Sequence, residues 1–255
     1  MSALLDRLSE NARTQGAINA VQDRSDGAWR WRTWAELESD VNRLCDALPA
    51  GRGDHLAWDA PAGSRRLAID LALLHLGVVG AAGGEGIGVA QYDQWLRSRE
   101  DPGRLVRLRA ELRARDAAAQ RRGQVLDYTA VDAVAQRVAG QLALVGSESV
   151  LVQGDAEVEQ LVGWGVVWSG GAMVVGGAEL LGDLHPAVWV ASSAAVSAAA
   201  PPASRAGSLG GLLRSYGRTD THVGRRLRRV YVIGTVPPEG DRFRQRGVEV
   251  SPWMG

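Results

Sequence analysis

The glycine-rich run from Gly83 to Gly88 is the segment whose residue types and spacing come nearest to a ligand-binding motif. A dinucleotide-binding turn has the spacing G-x-G-x-x-G between a strand and a helix, so that main-chain N–H groups face a pyrophosphate. Here the spacing is G-x-G-x-G, and no clear helix pattern begins at its end. The run therefore predicts a flexible loop or tight turn. If the chain retains a ligand pocket, strand ends and loops place Gly84, Glu85 and Trp164 in its wall.

Other reactive side chains are absent or isolated. All 29 basic residues are arginine, so a phosphate-binding lysine and a Schiff-base lysine are both excluded. Cys45 is the only cysteine, and its place in an apolar series at helical spacing predicts a core residue. No G-x-S-x-G motif is present, and we expect no catalytic residue and no metal site. The histidines lack metal-binding spacing; they are His55, His75, His185 and His222.

Charge and composition restrict the class of partner. The 29 acidic residues balance the 29 basic ones, so no overall field selects nucleic acid. No apolar run reaches the roughly 18 to 20 residues of a membrane span, and residues 1–20 do not resemble a secretory signal. With 255 residues, 45% of them hydrophobic, the chain is long enough to bury a core. We expect a globular cytoplasmic protein without a membrane span.

Two tryptophans near the N-terminus are the best candidates for contact with a partner. Trp29 and Trp31 alternate with Arg30 and Arg32, a period of two that is typical of a half-exposed strand. Exposed tryptophan and arginine are enriched at binding hot spots. An alternative interpretation is that these residues cover a sheet.

The elements that must position these residues alternate between helices and strands. Thr33 and Glu36 form a predicted capping box for a helix over 34–48, and Ser64 is a predicted cap for a second helix through His75. Because parallel strands need crossover helices, this rhythm predicts an α/β fold with layered, largely parallel sheets. Further helices are expected at 97–122, 131–142, 158–168 and 237–246. Strands are expected at 55–58, 78–81, 149–152, 173–175, 187–191, 227–233 and 248–250. Residues 192–207 are expected to form a flexible connector or a loop with a short helix.

Two stretches carry a resemblance to a known family. The first is TWAELESDVNRLCDAL followed by GDHLAWDAPAGSRRLAIDLALLHLGVVGA, within residues 33–82, and the second is GRRLRRVYVIGTVPPEGDRFRQRGVEV at 224–250. Their pattern and spacing resemble the N-terminal domain of adenylate-forming ligases, the acyl- and aryl-CoA synthetases among them. Pro61 and Gly77 fall at matching places. The resemblance implies a reduced version of that N-terminal domain over 1–255, with sub-domains 1–123 and 124–255.

The phosphate loop of that family has the form TSGTTGxPKG, and its counterpart here is ARDAAAQRRG at 114–123. A loop that wraps phosphates needs glycine freedom and inward N–H or hydroxyl groups. Alanines replace those positions, which leaves Arg121, Arg122 and Gly123 as a degraded counterpart. The family's tyrosine–glycine–x–threonine–glutamate strand is matched only by residues 251–255, so we expect no magnesium-associated glutamate and no C-terminal lid domain.

These observations predict a non-catalytic relative of the acyl and aryl ligases that acts through protein association or residual ligand binding. The alternative is one part of a split adenylating or acyl-CoA ligase completed by another polypeptide. A third hypothesis is a nucleotide-binding module that uses the 83–88 run. We expect a homo-oligomer or a partner protein, and an acyl or aryl small molecule if a pocket remains. No cofactor is expected, and ATP and magnesium are not expected to bind without a partner chain.

Overall fold

The computed structural model describes residues 2–24, 27–59, 62–86, 89–101, 103–121, 123–201 and 226–255. This part of the chain divides into two compact units. Unit 1 comprises residues 1–147, 155–175 and 255, and unit 2 comprises residues 148–154 and 176–254. The single-domain organisation with sub-domains 1–123 and 124–255 stays a prediction.

Unit 1 contains most of the helices of the described chain and two groups of strands. Its helices are α1 (Ala3–Gln15), α2 (Trp34–Ala47), α3 (Ser64–Leu76), α4 (Val89–Trp95), α5 (Arg104–Glu111), α6 (Tyr128–Leu142) and α7 (Ala156–Ser169). Its strands are β1 (Asn19–Asp23), β2 (Arg30–Thr33), β3 (His55–Asp59), β4 (Val79–Gly86), β5 (Ala117–Arg121), β6 (Gln124–Asp127) and β8 (Ala172–Val175).

The strands of unit 1 pair in two sets. In the first set the order is β8-β1-β2, with β1 parallel to β8 and antiparallel to β2. In the second the order is β3-β4-β5-β6, parallel except for the antiparallel pair of β5 and β6. Strand β2 is therefore the outermost strand of the first set.

Local sequence explains why α2 begins where it does. The Thr33 hydroxyl accepts a hydrogen bond from the Glu36 N–H, and the Glu36 carboxylate accepts one from the Thr33 N–H at 2.9 Å. This reciprocal pair satisfies two of the N–H groups that have no partner inside a helix. Cys45 lies on the buried face of α2 and is 2% exposed, so both the capping box and the core position of the cysteine are confirmed.

Helix α1 takes its N-terminal cap from another helix. Its own N-cap residue makes no capping hydrogen bond through its side chain. Instead the carboxylate of Asp132, on α6, accepts hydrogen bonds from the Ala3 N–H at 2.7 Å, the Leu4 N–H at 2.9 Å and the Ser2 hydroxyl at 2.8 Å. One carboxylate, about half of the sequence away, therefore accepts the hydrogen bonds of the first N–H groups of α1.

Helix α7 lies against α3 and α6 at short range. A Cβ atom on Gly163 would come within 2.7 Å of Leu67 on α3, and one on Gly165 within 2.5 Å of Val138 on α6. Real Cβ atoms do not make contacts this short, so these glycines permit the close approach of the helices. Nearly all of α7 is buried as a result.

Two predicted elements of unit 1 are wrong. Helix α3 begins at Ser64, but its cap residue is Gly63, and the Ser64 hydroxyl donates a hydrogen bond to Asp23 and does not cap the helix. The predicted helix at 97–122 is also wrong: only α5 is helical within its described residues, and Ala117–Arg121 form β5. The alanines of β5 have no strand preference of their own, so pairing with β4 and β6 decides their conformation.

Unit 2 is built on four parallel strands in the order β11-β10-β9-β7. The ring of Trp189 on β9 lies 6.2 Å from the ring of Phe243, and both side chains are buried in the core of this unit. The strands are β7 (Ser149–Gln153), β9 (Val188–Ser192), β10 (Arg229–Ile233) and β11 (Glu249–Pro252), and the helices are α8 (Leu181–Leu184), α9 (Ser193–Ala199) and α10 (Gly240–Arg244).

The predicted fold class, α/β with largely parallel sheets and crossover helices, is confirmed. The connector predicted at 192–207 contains α9, and residues 202–207 lie outside the described residues. Among the helices of the described ranges, none is both long enough and apolar enough to cross a bilayer.

Candidate functional site

The segment aligned with a phosphate loop is a tight β-hairpin. Strands β5 and β6 are antiparallel, and Arg121 pairs with Gln124, so that only two residues connect them. Gly123 has a φ of +78°, a backbone conformation that glycine adopts without strain. Arg122 lies outside the described residues. The described part of the hairpin consists of extended chain and one turn residue.

The guanidinium of Arg121 is held by groups of the protein itself. Its Nε lies 2.7 Å from Oε1 of Glu157, in the first turn of α7, and its Nη2 donates to the main-chain oxygen of Gly255 at 2.6 Å. The side chain of Arg121 is largely buried, at 14% exposure. An arginine whose charge is already balanced by a carboxylate attracts an anionic ligand weakly. The hairpin therefore offers no uncompensated cation at Arg121.

A second anion-binding geometry occurs at the N-terminus of α3, where unpaired N–H groups and the helix dipole favour negative charge. Here the negative charge comes from two buried carboxylates. Asp23 Oδ2 accepts hydrogen bonds from the Ser64 N–H at 2.8 Å and from the Ser64 hydroxyl at 2.7 Å. Glu159 of α7 accepts a hydrogen bond from the Gly63 N–H, and its other oxygen lies 3.4 Å from Nη1 of Arg66. The helix start is filled by the protein's own carboxylates.

Gly63 makes this arrangement sterically possible. Its φ of +95° and ψ of −139° belong to a region that side chains other than glycine avoid. A Cβ atom at this position would overlap the Cβ and Cγ atoms of Asp23. The carboxylate reaches the start of α3 only because residue 63 has no side chain. We name the arrangement of Asp23, Gly63, Ser64 and Glu159 the α3 cap.

Trp164 belongs to a buried polar cluster on α3 and α7. Its indole N–H donates to Asp70 Oδ2 at 2.5 Å, and the side-chain amide of Gln160 donates to Asp70 Oδ1. All three residues are buried. Burial raises the pKa of Asp70 to about 6, although the two hydrogen bonds oppose this rise by favouring the charged form. Trp164 is a core residue whose polar atom already has a partner.

Helix α3 also carries a buried histidine, His75. The Nδ1 atom of His75 is 2.8 Å from the carbonyl oxygen of Leu71, and the ring is completely buried. Burial lowers the pKa of His75 to about 4, the charge of Arg109 lowers it further, and the hydrogen bond to Leu71 opposes both. The neutral ring is therefore favoured at pH 7, and His75 is not a proton shuttle facing solvent.

The candidate residues Gly84 and Glu85 lie in a bulge of β4. Trp58 pairs with Ala82 and the next residue, Asp59, pairs with Gly86, so Gly83, Gly84 and Glu85 have no partner on β3. The predicted loop is wrong for Gly83–Gly86, because these residues belong to β4, which pairs again with β3 at Gly86. Residues 87 and 88 lie outside the described residues. Bulges are common beside functional sites, where they change the direction of a side chain. The described contacts of this bulge include no hydrogen bond or ion pair with a candidate ligand-binding side chain.

The predicted partner-facing residues are on the surface. Trp31, on β2, is 56% exposed, and Trp29, just before the strand, is 39% exposed. The guanidinium carbon of Arg24 lies 5.9 Å from the centre of the Trp29 ring. The partner-facing role of these tryptophans and the alternative that they cover a sheet both stay predictions.

The described residues contain no group of three or more histidine, cysteine, aspartate or glutamate side chains that could hold a metal ion. The expectation of no cofactor stays a prediction.

Comparison with known proteins places the fold. No protein-family model and no curated protein matches the chain. The N-terminal domain of FACL13 from Mycobacterium tuberculosis matches with a TM-score of 0.72 at 15% identity, over 98% of this chain and 75% of that one. The N-terminal subdomain of Klebsiella oxytoca NpsA matches with a TM-score of 0.69 at 13% identity, over 98% and 73%. The fold is that of an adenylate-forming ligase N-terminal domain.

At these identities the likeness concerns the fold alone. The chain also matches the longer Mycobacterium tuberculosis fatty acyl CoA synthetase. This match has a TM-score of 0.71 at 15% identity and covers 97% of this chain and 58% of that one. The adenylate-forming fold predicted from two sequence stretches therefore extends over nearly the whole chain. The roles predicted for Gly84, Glu85, Trp164, Arg121, Arg122 and Gly123 stay predictions.

The α3 cap was not predicted from the sequence. Asp23, Gly63 and Glu159 belong to three separate parts of the chain, and no local motif connects them. The one available signal was a glycine directly before a helix, at a place where Ser64 looked like a sufficient cap.

Proposed function

We propose that this chain is a non-catalytic relative of the adenylate-forming acyl and aryl ligases, which acts through protein association or residual ligand binding. The β5–β6 hairpin is the observation that carries the proposal. Five of the ten residues aligned with the family's phosphate loop form β5, and two residues complete the connection to β6. A loop that cradles a triphosphate directs several main-chain N–H groups inward, whereas strand β5 uses its main chain for pairing with β4 and β6.

The distribution of charge supports the same proposal. Transfer of an adenylyl group depends on positioning and on cationic stabilisation of the phosphates. The sequence has no lysine, and Arg121 is paired with Glu157. The N-terminus of α3 is also closed to a phosphate, because Asp23 and Glu159 accept its hydrogen bonds.

Calorimetry with Mg-ATP on the purified chain tests the proposal. We expect no binding heat, and no ATP-dependent exchange of pyrophosphate with a panel of fatty and aromatic carboxylic acids. The matched variant is Glu157→Gln, which releases Arg121 from its ion pair without shortening the side chain. We expect this variant to remain inactive, because β5 still uses its main chain for pairing with β4 and β6, and a free cation alone does not cradle phosphates.

Dissociation constants in the micromolar range for the wild-type chain, about −8 kcal/mol of binding free energy, contradict the proposal. Binding gained by Glu157→Gln alone contradicts the argument from the hairpin, since it means that the site is intact and only occupied by Glu157.

The alternative function is one part of a split adenylating or acyl-CoA ligase. The structural match supports this alternative, because 98% of the chain follows the fold of the FACL13 N-terminal domain and covers 75% of that domain. The split-ligase hypothesis predicts release of AMP from ATP only when a second polypeptide is added. Assay of the native complex, with mass spectrometry of its subunits, separates the two functions: AMP release by the complex favours the split ligase, and its absence favours the non-catalytic relative.

A further inference from the structure

Three exposed side chains lie on or beside β2: Arg24 follows β1, Trp29 directly precedes β2, and Trp31 lies on β2. We name Arg24, Trp29 and Trp31 the outer strip. Trp29 and Trp31 are two residues apart, so in an extended chain both indoles fall on one side. Tryptophan and arginine, together with tyrosine, are the residues most enriched at binding hot spots.

The main chain of this edge is partly closed to strand addition. The Thr33 N–H donates to Glu36 Oε2 at 2.9 Å, within the capping box of α2. The Trp31 carbonyl accepts a hydrogen bond from Nη1 of Arg32 at 3.1 Å. An added β-strand needs a row of unpaired N–H and C=O groups, and here two of these groups have partners from the protein's own side chains. Contact with a partner therefore depends on the indoles and the guanidinium.

The charge of the outer strip determines the kind of partner. Arg24 is exposed and forms no ion pair with any residue in the described ranges; its side chain donates to the Gly27 carbonyl at 3.3 Å and lies over Trp29. Nearby Arg32, by contrast, is paired with Asp40 at 2.7 Å. A second copy of the outer strip offers no carboxylate that could pair with Arg24. An exposed cation that has no ion pair among the described residues favours an acidic partner.

We propose that the outer strip binds an acidic segment of a partner protein, whose carboxylates pair with Arg24 and whose apolar groups cover Trp29 and Trp31. This inference rests on the proposed function, in that a non-catalytic chain acts through association. Its test uses a different surface and a different readout from the ATP experiment, so failure of either proposal is recognised separately.

The test is selection of short peptides from a random display library on the immobilised full chain, with counter-selection on the Trp29→Ser, Trp31→Ser double variant. Selected peptides are then measured by fluorescence polarisation against purified proteins. We expect acidic sequences that contain apolar residues, with affinity reduced at least about tenfold in the double variant. Arg24→Gln should reduce affinity by about threefold to tenfold and weaken its dependence on salt.

The matched control is Val106→Ser, Val125→Ser, which removes two other exposed apolar side chains, 60% and 51% exposed, and should leave peptide affinity unchanged. Thermal melting of each variant checks that it is folded. Selection of neutral or basic peptides, equal binding to the double variant, or no binders at all overturns the proposal. Binding to phosphatidylcholine vesicles that contain phosphatidylserine, without selection of acidic peptides, also overturns it and identifies an anionic lipid surface as the ligand.

Discussion

The α3 cap and the outer strip differ in where their charged groups lie: those of the cap are buried, and that of the strip is exposed. In the α3 cap, the carboxylates of Asp23 and Glu159 are buried and accept hydrogen bonds from the start of α3. In the outer strip, Arg24 and the two indoles face solvent, without an ion pair among the described residues. The difference indicates that interior charge serves stability, whereas the strip is left for a partner. Mutations should therefore separate stability from association.

The largest expected effect is that of Gly63→Ala on the α3 cap. The variant combines an avoided backbone conformation with overlap between the new methyl group and Asp23. Together these should lower the free energy of unfolding by about 4 kcal/mol, measured by urea denaturation. Gly53→Ala is the matched control, because Gly53 has a φ of +84° but open space around it. Equal losses in the two variants mean that the crowding by Asp23 is not real.

The second prediction concerns two buried groups on α3 whose pH effects have opposite signs. The pKa of Asp70 is about 6 in the folded protein and ordinarily 3.8, so the folded state binds the proton more tightly, and stability falls as pH rises from about 4 to 6. The pKa of His75 is about 4 and ordinarily 6.5, so stability falls as pH decreases from about 6.5 to 4. Each effect is on the order of 2–3 kcal/mol, and in the wild type the two oppose each other.

Removing either group should reveal the other. Relative to the wild type, Asp70→Asn should lose more stability on acidification between pH 6.5 and pH 4, the window set by the two pKa values of His75. His75→Gln should lose more stability as pH rises between about 4 and 6, the window of Asp70. Urea denaturation at a series of pH values measures both slopes. If the two variants and the wild type share one slope, burial does not shift these groups as described.

The third prediction concerns the hairpin, where the ion pair of Arg121 and Glu157 is partly buried. A double-mutant cycle of Arg121→Ala and Glu157→Ala should give a coupling energy of about 1 kcal/mol, intermediate between exposed and buried pairs. Arg107→Ala with Asp101→Ala is the control, since that pair is exposed and should couple by less than about 0.5 kcal/mol. A coupling energy near zero for both pairs contradicts the argument that Glu157 balances the charge of Arg121 and so weakens its attraction for an anionic ligand.

The smallest effect on stability is expected in the outer strip. Trp31→Ser should change the free energy of unfolding by less than about 0.5 kcal/mol, because the ring is more than half exposed. A loss comparable to that of Gly63→Ala, in the same urea titration, shows that the ring packs against the fold. In that case the contrast between the α3 cap and the outer strip disappears.

The sequence predicted elements whose signals are local. The capping box at Thr33 and Glu36 and the apolar spacing that follows were sufficient for α2, as the structure confirms. It did not predict β5, whose alanines are extended because β4 and β6 flank them. For the candidate site, the exposure of Trp29 and Trp31 followed from a period of two. The α3 cap could not be predicted in this way, because its two carboxylates come from β1 and α7, and only folding brings them together.

The cap that Asp132 provides for α1 has a consequence for the order of folding during synthesis. The carboxylate is located about 130 residues after the N–H groups that it accepts. At about 5–20 residues per second, the ribosome needs on the order of 6–26 s to add that stretch. Until then the first turn of α1 has no side chain from α6 to complete it, and a short isolated helix is marginal in water. The first helix of the sequence is therefore expected to be among the last parts of unit 1 to become stable.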